Sequence, residues 1–431
     1  MHLSEHLFRR ESGRLGAALT RILGVHNLAL AEDVVQDAFC RALEVWKVQG
    51  VPGSPAGWLM SVAKHRALDI VRRERTARTF AAEFSRMLES EWTLVPAVNE
   101  AFADSTIRDE QLRMMFSCCH PRLTEEVQVA LVLNILCGFG ASEVADAFLT
   151  GRAAIEKRIS RGKKLLAGSK RLFDLADSEF EPRLSAVRRA IYLLFNEGYH
   201  GSSEVAVRLD VCNEAIRLAM LLLESPQTAV PETRALAALL HVHAARLSTR
   251  LDAAGDLSPL LEQDRSRWDA ERVDVGLKLL EASAVGSELS AYHVEAAIAA
   301  AHVTARSIEE TDWNAIVGLY DRLMTITPTP VVALNRAIAI GQRDGPDRGL
   351  ELLRVIPDAQ RLRRYPFYPA AMGELERRRG DLDAARGHFT AAAEIARNSA
   401  ERRYLRARIR ECSTDEHQDV LTKEAPCQLQ R

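Results

Sequence analysis

The segment from Ser142 to Leu166 constrains this chain more than any other. Ser142-Glu143-Val144-Ala145-Asp146-Ala147-Phe148 reads as a short helix, Leu149-Thr150-Gly151 as a turn, and Arg152 to Leu166 as a second helix. Ser142 is suited to cap the first helix, and Ala145 is small enough for a second helix to cross it closely. In the second helix Ile155, Ile159, Gly162 and Leu166 recur at the helical period, which predicts one inward stripe. Arg152, Ala153, Glu156, Lys157, Ser160, Lys163 and Lys164 fall mainly outside that stripe. Residues 152–171 carry eight Lys/Arg against one Glu, a local charge of +7 in a chain whose total is −2. Segregated positive charge on a helix-turn-helix is the footprint of a DNA-reading element, although a solvated basic face has the same pattern.

The bulk composition limits the fold class. Ala, Leu and Arg dominate, β-branched runs are scarce and aromatics make up 6% of the chain, which predicts an all-α protein. A length of 431 residues allows two to four domains with real cores. No apolar run is long enough to span a bilayer, and Met1 to His6 lacks the pattern of a signal peptide, so the expectation is a cytoplasmic protein without membrane contact. The odd count of seven cysteines fits reduced thiols. Cys118-Cys119-His120 lacks the C-x₂-C spacing of zinc sites, and no metal is expected there.

Before the helix-turn-helix, three helical stretches fill residues 4–75. Phe8 to Leu23 is amphipathic. Ala31 to Val48 sets Val34, Val35, Ala38, Phe39, Ala42, Leu43 and Trp46 on one face and leaves Glu32, Asp33, Gln36, Asp37, Arg41 and Glu44 outside. The third opens on Ser54-Pro55, a cap followed by proline at the first helical position, and becomes basic over 64–75, with five Lys/Arg against two acids. Residues 76–105 lose periodicity and turn acidic, the composition of a linker. A helical unit resumes at Ile107, where Thr124 is placed to cap a helix with Glu125 and Glu126 in its first turn.

From Pro182 onward the chain reads as long Ala/Leu-rich helices with short polar turns. Val332 to Ala337 followed by Asp347 to Leu353 is echoed about 36 residues later by Tyr368 to Gly373 and Asp383 to Phe389. That period suits tetratricopeptide-like stacked helix pairs, with a plain helical bundle as the alternative.

Two separate motifs carry a family resemblance. Ala31-Glu32-Asp33-Val34-Val35-Gln36-Asp37-Ala38-Phe39 resembles the core-polymerase-binding helix of bacterial sigma factors. Ala56-Gly57-Trp58-Leu59 through Asp69 and Arg72-Arg73 resembles their −10-reading helix, and 142–166 resembles their −35-reading domain. The order and spacing are similar to the extracytoplasmic-function (ECF) class of the sigma-70 family. Ile191 to Tyr199, Gln263 to Asp269 and Thr311-Asp312-Trp313 are similar to a subgroup with a long helical C-terminal extension.

The resemblance implies two small helical sigma domains, the second with the helix-turn-helix, followed by a large helical-repeat domain. Domain 2 would span 1–75, an acidic linker 76–105, domain 4 106–170, the extension 182–415 and a disordered tail 416–431. Asp33, Gln36, Asp37 and Arg41 would face core RNA polymerase, through its β′ clamp, with the β flap as a further contact. Lys64, His65, Arg66, Arg72 and Arg73 would lie along the −10 region, with Asp69 on the same helix. Arg152, Glu156, Lys157 and Arg161 would enter the −35 major groove, where Arg can read guanine and Glu can accept from cytosine. Trp58 and Leu59 would hold the domain core. The loop Gln49 to Ser54 corresponds to the family's base-capturing loop.

The function implied is promoter-specific transcription initiation on promoter DNA, without catalysis, cofactor or metal, and with the extension as a regulatory domain or the seat of a regulatory protein partner. The alternative is a stand-alone helix-turn-helix regulator with a ligand-sensing repeat domain, a reading that leaves the 31–46 helix without a use. Asn196, Glu197, Asp264, Arg265, Trp268 and Asp312 form polar-aromatic clusters that suit either a ligand or partner site or buried salt bridges that fix helix packing.

Overall fold

The computed structural model describes residues 5–24, 27–74, 104–148, 150–168, 181–200, 206–286 and 288–423. Their regular elements are helices, and among the described residues the only extended pairing is an isolated bridge between Leu251 and Leu257. The chain divides into two compact units, Met1–Phe195 with Asn213–Ala229, and Asn196–Cys212 with Val230–Arg431.

In the first unit, α1 (Glu5–Leu23), α2 (Leu28–Gln49) and α3 (Pro55–Glu74) pack on one another. Leu15, Leu19 and Ile22 from α1 meet Val34, Val35, Ala38, Phe39 and Trp46 from α2 and Leu59, Ala63 and Ala67 from α3 in one core. Trp46 is 1% exposed and meets Trp58 edge-on at 5.3 Å; deleting a side chain of that size from a core costs about 3–5 kcal/mol. Leu59 is fully buried and Trp58 packs against the same cluster, as the sequence predicts. Ser54 caps α3 by accepting from the Gly57 amide at 3.3 Å. Leu43 departs from expectation: it is 52% exposed, because one residue beyond buried Ala42 turns a side chain by about 100° and out of the stripe. Most of the expected 76–105 linker lies outside the described residues.

The same unit continues with α4 (Asp104–Cys118) and α5 (Glu125–Leu131), which widens into a π-turn over Val132–Leu136. Asn134 holds the following turn by donating Nδ2 to the Phe139 carbonyl at 2.8 Å. Next come α6 (Ala141–Ala147) and α7 (Arg152–Ala167), which pack against each other. Ser142 does not cap α6. The helix begins one residue earlier, and the Glu143 carboxylate accepts from the Gly140 amide at 2.9 Å. The buried residues of α7 are Ile155, Ile159, Gly162 and Leu166, the predicted stripe. Gly162 is there because α5 passes too close for a side chain: a Cβ would stand 2.6 Å from Leu131 Cδ1. α8 (Glu181–His200) and α9 (Leu209–Leu223) follow, each divided between the two units.

The second unit runs through α10 (Pro231–Ala244), α11 (Ala270–Ser283), α12 (Ala291–Thr304), α13 (Trp313–Ile326), α14 (Pro330–Asp344), α15 (Pro346–Arg354), α16 (Phe367–Arg379), α17 (Leu382–Glu394) and α18 (Ser399–Lys423). From α13 on each helix packs chiefly on its neighbours in the chain, while α12 packs chiefly on α10; the former is the nearest-neighbour pattern of a helical-repeat array. Residues one predicted period apart play matching parts. Leu353 and Phe389 are both core residues, and Ala337 and Gly373 are both buried where helices cross closely. α17 is capped by Asp381, which accepts from the Ala384 amide at 3.0 Å. The expected tail at 416–431 begins inside α18, whose helix continues to Lys423, and 424–431 lie outside the described residues.

Candidate functional site

The outward face of α2 carries Asp33, Gln36, Asp37 and Arg41, all exposed, opposite its buried stripe. Arg66 of α3 reaches Asp37 at 3.9 Å, a loose contact between two exposed groups. His65 is exposed and Lys64 half-buried on α3. The Ser61 carbonyl can only accept, so the 2.7 Å contact from His65 Nδ1 requires a proton on Nδ1. The backbone of Arg72 and Arg73 continues α3, and their side chains lie outside the described residues. The turn between α2 and α3 begins at Gly50, whose φ of 83° is left-handed and whose amide closes α2 onto the Trp46 carbonyl.

On α7, Arg152, Glu156, Lys157 and Arg161 are all exposed. Arg152 Nε donates to Glu156 Oε1 at 2.7 Å, so two residues expected to read bases are engaged with each other. Such a pair, at 70% and 48% side-chain exposure, is held weakly. Farther along α7, Lys163 donates to Glu32 of α2 at 2.6 Å. Sequence reading left this contact out: 131 residues separate the partners, and nothing in local periodicity pairs them. Cys118 lies near that ion pair, and burial pushes its thiol up to about 12, with Lys163 pulling the other way. This is an inert core thiol. Among the described residues no group of three or more His, Cys, Asp or Glu is placed to hold a metal ion, and no helix is long and apolar enough to cross a membrane.

Among the described residues, Asp264, Arg265, Trp268 and Asp312 are not joined to one another by salt bridges. Asp264 and Asp312 are exposed helix caps, accepting from the amides of Ser266 and Ala315. Arg265 donates instead to the carbonyls of His302 (3.0 Å) and Ala305 (2.6 Å) and to Thr311 Oγ1 (3.2 Å). Trp268 is buried and donates its indole N–H to Thr249 Oγ1 at 3.1 Å. The Arg246 guanidinium lies over the same ring, and Arg250, His243 and His302 interact electrostatically with Arg246; Arg246, Arg250 and His302 are residues that the sequence reading did not single out. Their spacing shows no face at the helical period, because α10 ends at Ala244 and a tight turn carries Arg246 and Arg250.

Residues 7–77 match the Sigma-70 region 2 family, and residues 183–284 match a family of unknown function, DUF6596. An uncharacterized protein of Rhizobium meliloti (strain 1021) is 37% identical over 387 residues, covering 89% of this chain and 90% of its own. The ECF RNA polymerase sigma factor SigK of Mycolicibacterium vanbaalenii is 26% identical over 157 residues, 36% of this chain and 74% of its own. SigX of Bacillus subtilis (strain 168), also an ECF RNA polymerase sigma factor, is 23% identical over 138 residues, 31% of this chain and 68% of its own. The chain belongs to the extracytoplasmic-function group of the sigma-70 family and carries a larger helical C-terminal extension.

Proposed function

We propose that this chain binds core RNA polymerase and directs promoter-specific transcription initiation, and that its C-terminal extension regulates that activity. The observation that supports this most is α2. It lies within the Sigma-70 region 2 match and presents Asp33, Gln36, Asp37 and Arg41 on a face that the core does not need. In this reading that face docks on the β′ clamp of polymerase, and α3 with Lys64, His65, Arg66, Arg72 and Arg73 lies along the −10 element. There Lys and Arg hold phosphates and carry little sequence information. The second domain, 106–170, also meets the β flap and lays α7 in the −35 major groove, with Arg152, Glu156, Lys157 and Arg161 at the base edges. Sigma factors work by binding and need no catalytic group, cofactor or metal, and the protein acts in the cytoplasm.

Run-off transcription with purified core polymerase tests this. The expected result is a promoter-specific transcript only when the protein is added. Specific DNA binding without polymerase, and no transcript with it, would overturn the proposal in favour of a stand-alone regulator.

A further inference from the structure

The second unit buries positive charge without a counter-charge. Arg246 and Arg250 are 7% and 8% exposed, and Arg265 is half-buried. Arg246 donates Nε to Gln263 Oε1 at 3.2 Å, and its guanidinium lies 5.6 Å from the Trp268 ring centre. The Arg265 guanidinium lies 5.3 Å from the same ring, and its hydrogen bonds end on two carbonyls and a hydroxyl. Arg250 donates to the Tyr199 carbonyl and to His200 Nδ1, both at 3.1 Å, and stacks 4.4 Å from the Tyr199 ring centre. Every one of these partners is neutral. Among the described residues no carboxylate lies within ion-pair distance of any of the three, and Glu309 acts on Arg265 only at longer range.

This arrangement is costly as it stands. A buried guanidinium loses several kcal/mol of hydration, and neutral acceptors and aromatic faces recover only part of it. Like charges gathered in one low-dielectric region add repulsion. Two polar atoms at the cluster, Arg250 Nε and His302 Nδ1, are buried without a hydrogen-bond partner. Burial and the nearby guanidiniums also hold His302 neutral, down to about 4. What would complete the set is an acceptor carrying negative charge that meets several N–H groups at once.

We infer that Arg246, Arg250 and Arg265, with His302 and the Trp268 ring, form a binding site for a small oxyanion-bearing ligand. The oxyanion is a phosphate or a carboxylate group that meets the guanidinium N–H groups of this cluster. The inference does not rest on the sigma role of the N-terminal domains.

The test uses the full chain at constant ionic strength. Thermal unfolding is followed as sodium chloride is replaced by inorganic phosphate in one arm and by acetate in the other. The expected result is a saturable rise in the midpoint with at least one of them, the responsive arm identifying the oxyanion. Arg250→Gln should weaken the apparent affinity about tenfold or more, the worth of a charge-assisted hydrogen bond. The double variant R152Q/K157Q, altered only on the basic helix α7, should keep it. If Arg250→Gln does not fold, His302→Gln and Arg265→Lys are read instead, and ³¹P line broadening of phosphate or ¹H line broadening of acetate, whichever responds, measures binding directly. No saturable response in the wild type, or an affinity unchanged in Arg250→Gln (or in both substitutes), would overturn the site. Loss of the response in R152Q/K157Q would place the ion on α7 and overturn it equally.

Discussion

Lys163 on the basic helix α7 donates to Glu32 on α2 at 2.6 Å, joining the helix proposed to read DNA to the helix proposed to bind polymerase. The side chains are 30% and 35% exposed, so water screens much of their attraction. A double-mutant cycle of Glu32→Ala and Lys163→Ala should return a coupling of about 0.2–1 kcal/mol. A coupling of several kcal/mol would mean a dry, stability-bearing bridge and contradict the exposure seen here.

Asp37→Arg should abolish association with core polymerase and leave the fold intact. Asp37 is 65% exposed and touches Arg66 only at 3.9 Å, so its removal should change stability by no more than about 0.5 kcal/mol. Co-purification of the folded variant with core polymerase at the wild-type level would refute docking through this face.

Replacing Arg152 and Lys157 together with Ala should weaken promoter use mainly through the −35 element. Each lost phosphate contact should also lower the slope of log affinity against log salt by about one unit. The check compares promoters with intact and altered −35 elements. If altering that element costs the wild type no more activity than it costs the variant, α7 is not the reader.

Gly162→Val should loosen the packing of α7 on α5. Even a Cβ there would stand 2.6 Å from Leu131, which is itself fully buried, and overpacking of this kind costs about 1–3 kcal/mol. Hydrogen exchange should show faster opening of α5 and α7 with unchanged protection in α14–α17. Equal protection of α7 in the two proteins would contradict the close approach.

The second unit should lose stability in mild acid. Burial, reinforced by Arg246, Arg250 and His302, pushes His243 down to about 3, and burial with Arg246 and Arg265 pushes His302 down to about 4. In the unfolded chain both return to about 6.5. Between those values the unfolded state binds more protons, so the stability is complete above about pH 6.5 and is lost as pH falls towards 4. By pH 5 the loss is up to about 2 kcal/mol for each histidine. Urea unfolding read by hydrogen exchange of the α10–α12 peptides checks this, and a midpoint unchanged from about pH 7 to about pH 5 would contradict it.

How much of the protein was legible in its sequence depends on how local the cause is. The inward stripe Ile155, Ile159, Gly162 and Leu166, the Ser54 cap and the core face of α2 follow from a period of 3.6 residues and from capping chemistry, which act within a turn or two of chain. The exposed faces at Asp33, Gln36, Asp37, Arg41 and at Arg152, Glu156, Lys157 and Arg161 are the remainder once those stripes are buried. The start of α6 was missed because Glu143 supplies its cap from inside the helix, a choice between Ser142 and Glu143 that composition does not settle. Tertiary structure alone decided that Lys163 meets Glu32. It alone set Arg246 and Arg265 over Trp268, brought Arg250 and His302 within reach of their charges and left the three guanidiniums without a carboxylate partner among the described residues. Those groups come from separate turns and helices, and only packing, acting through distance and burial, brings their charges into one low-dielectric place.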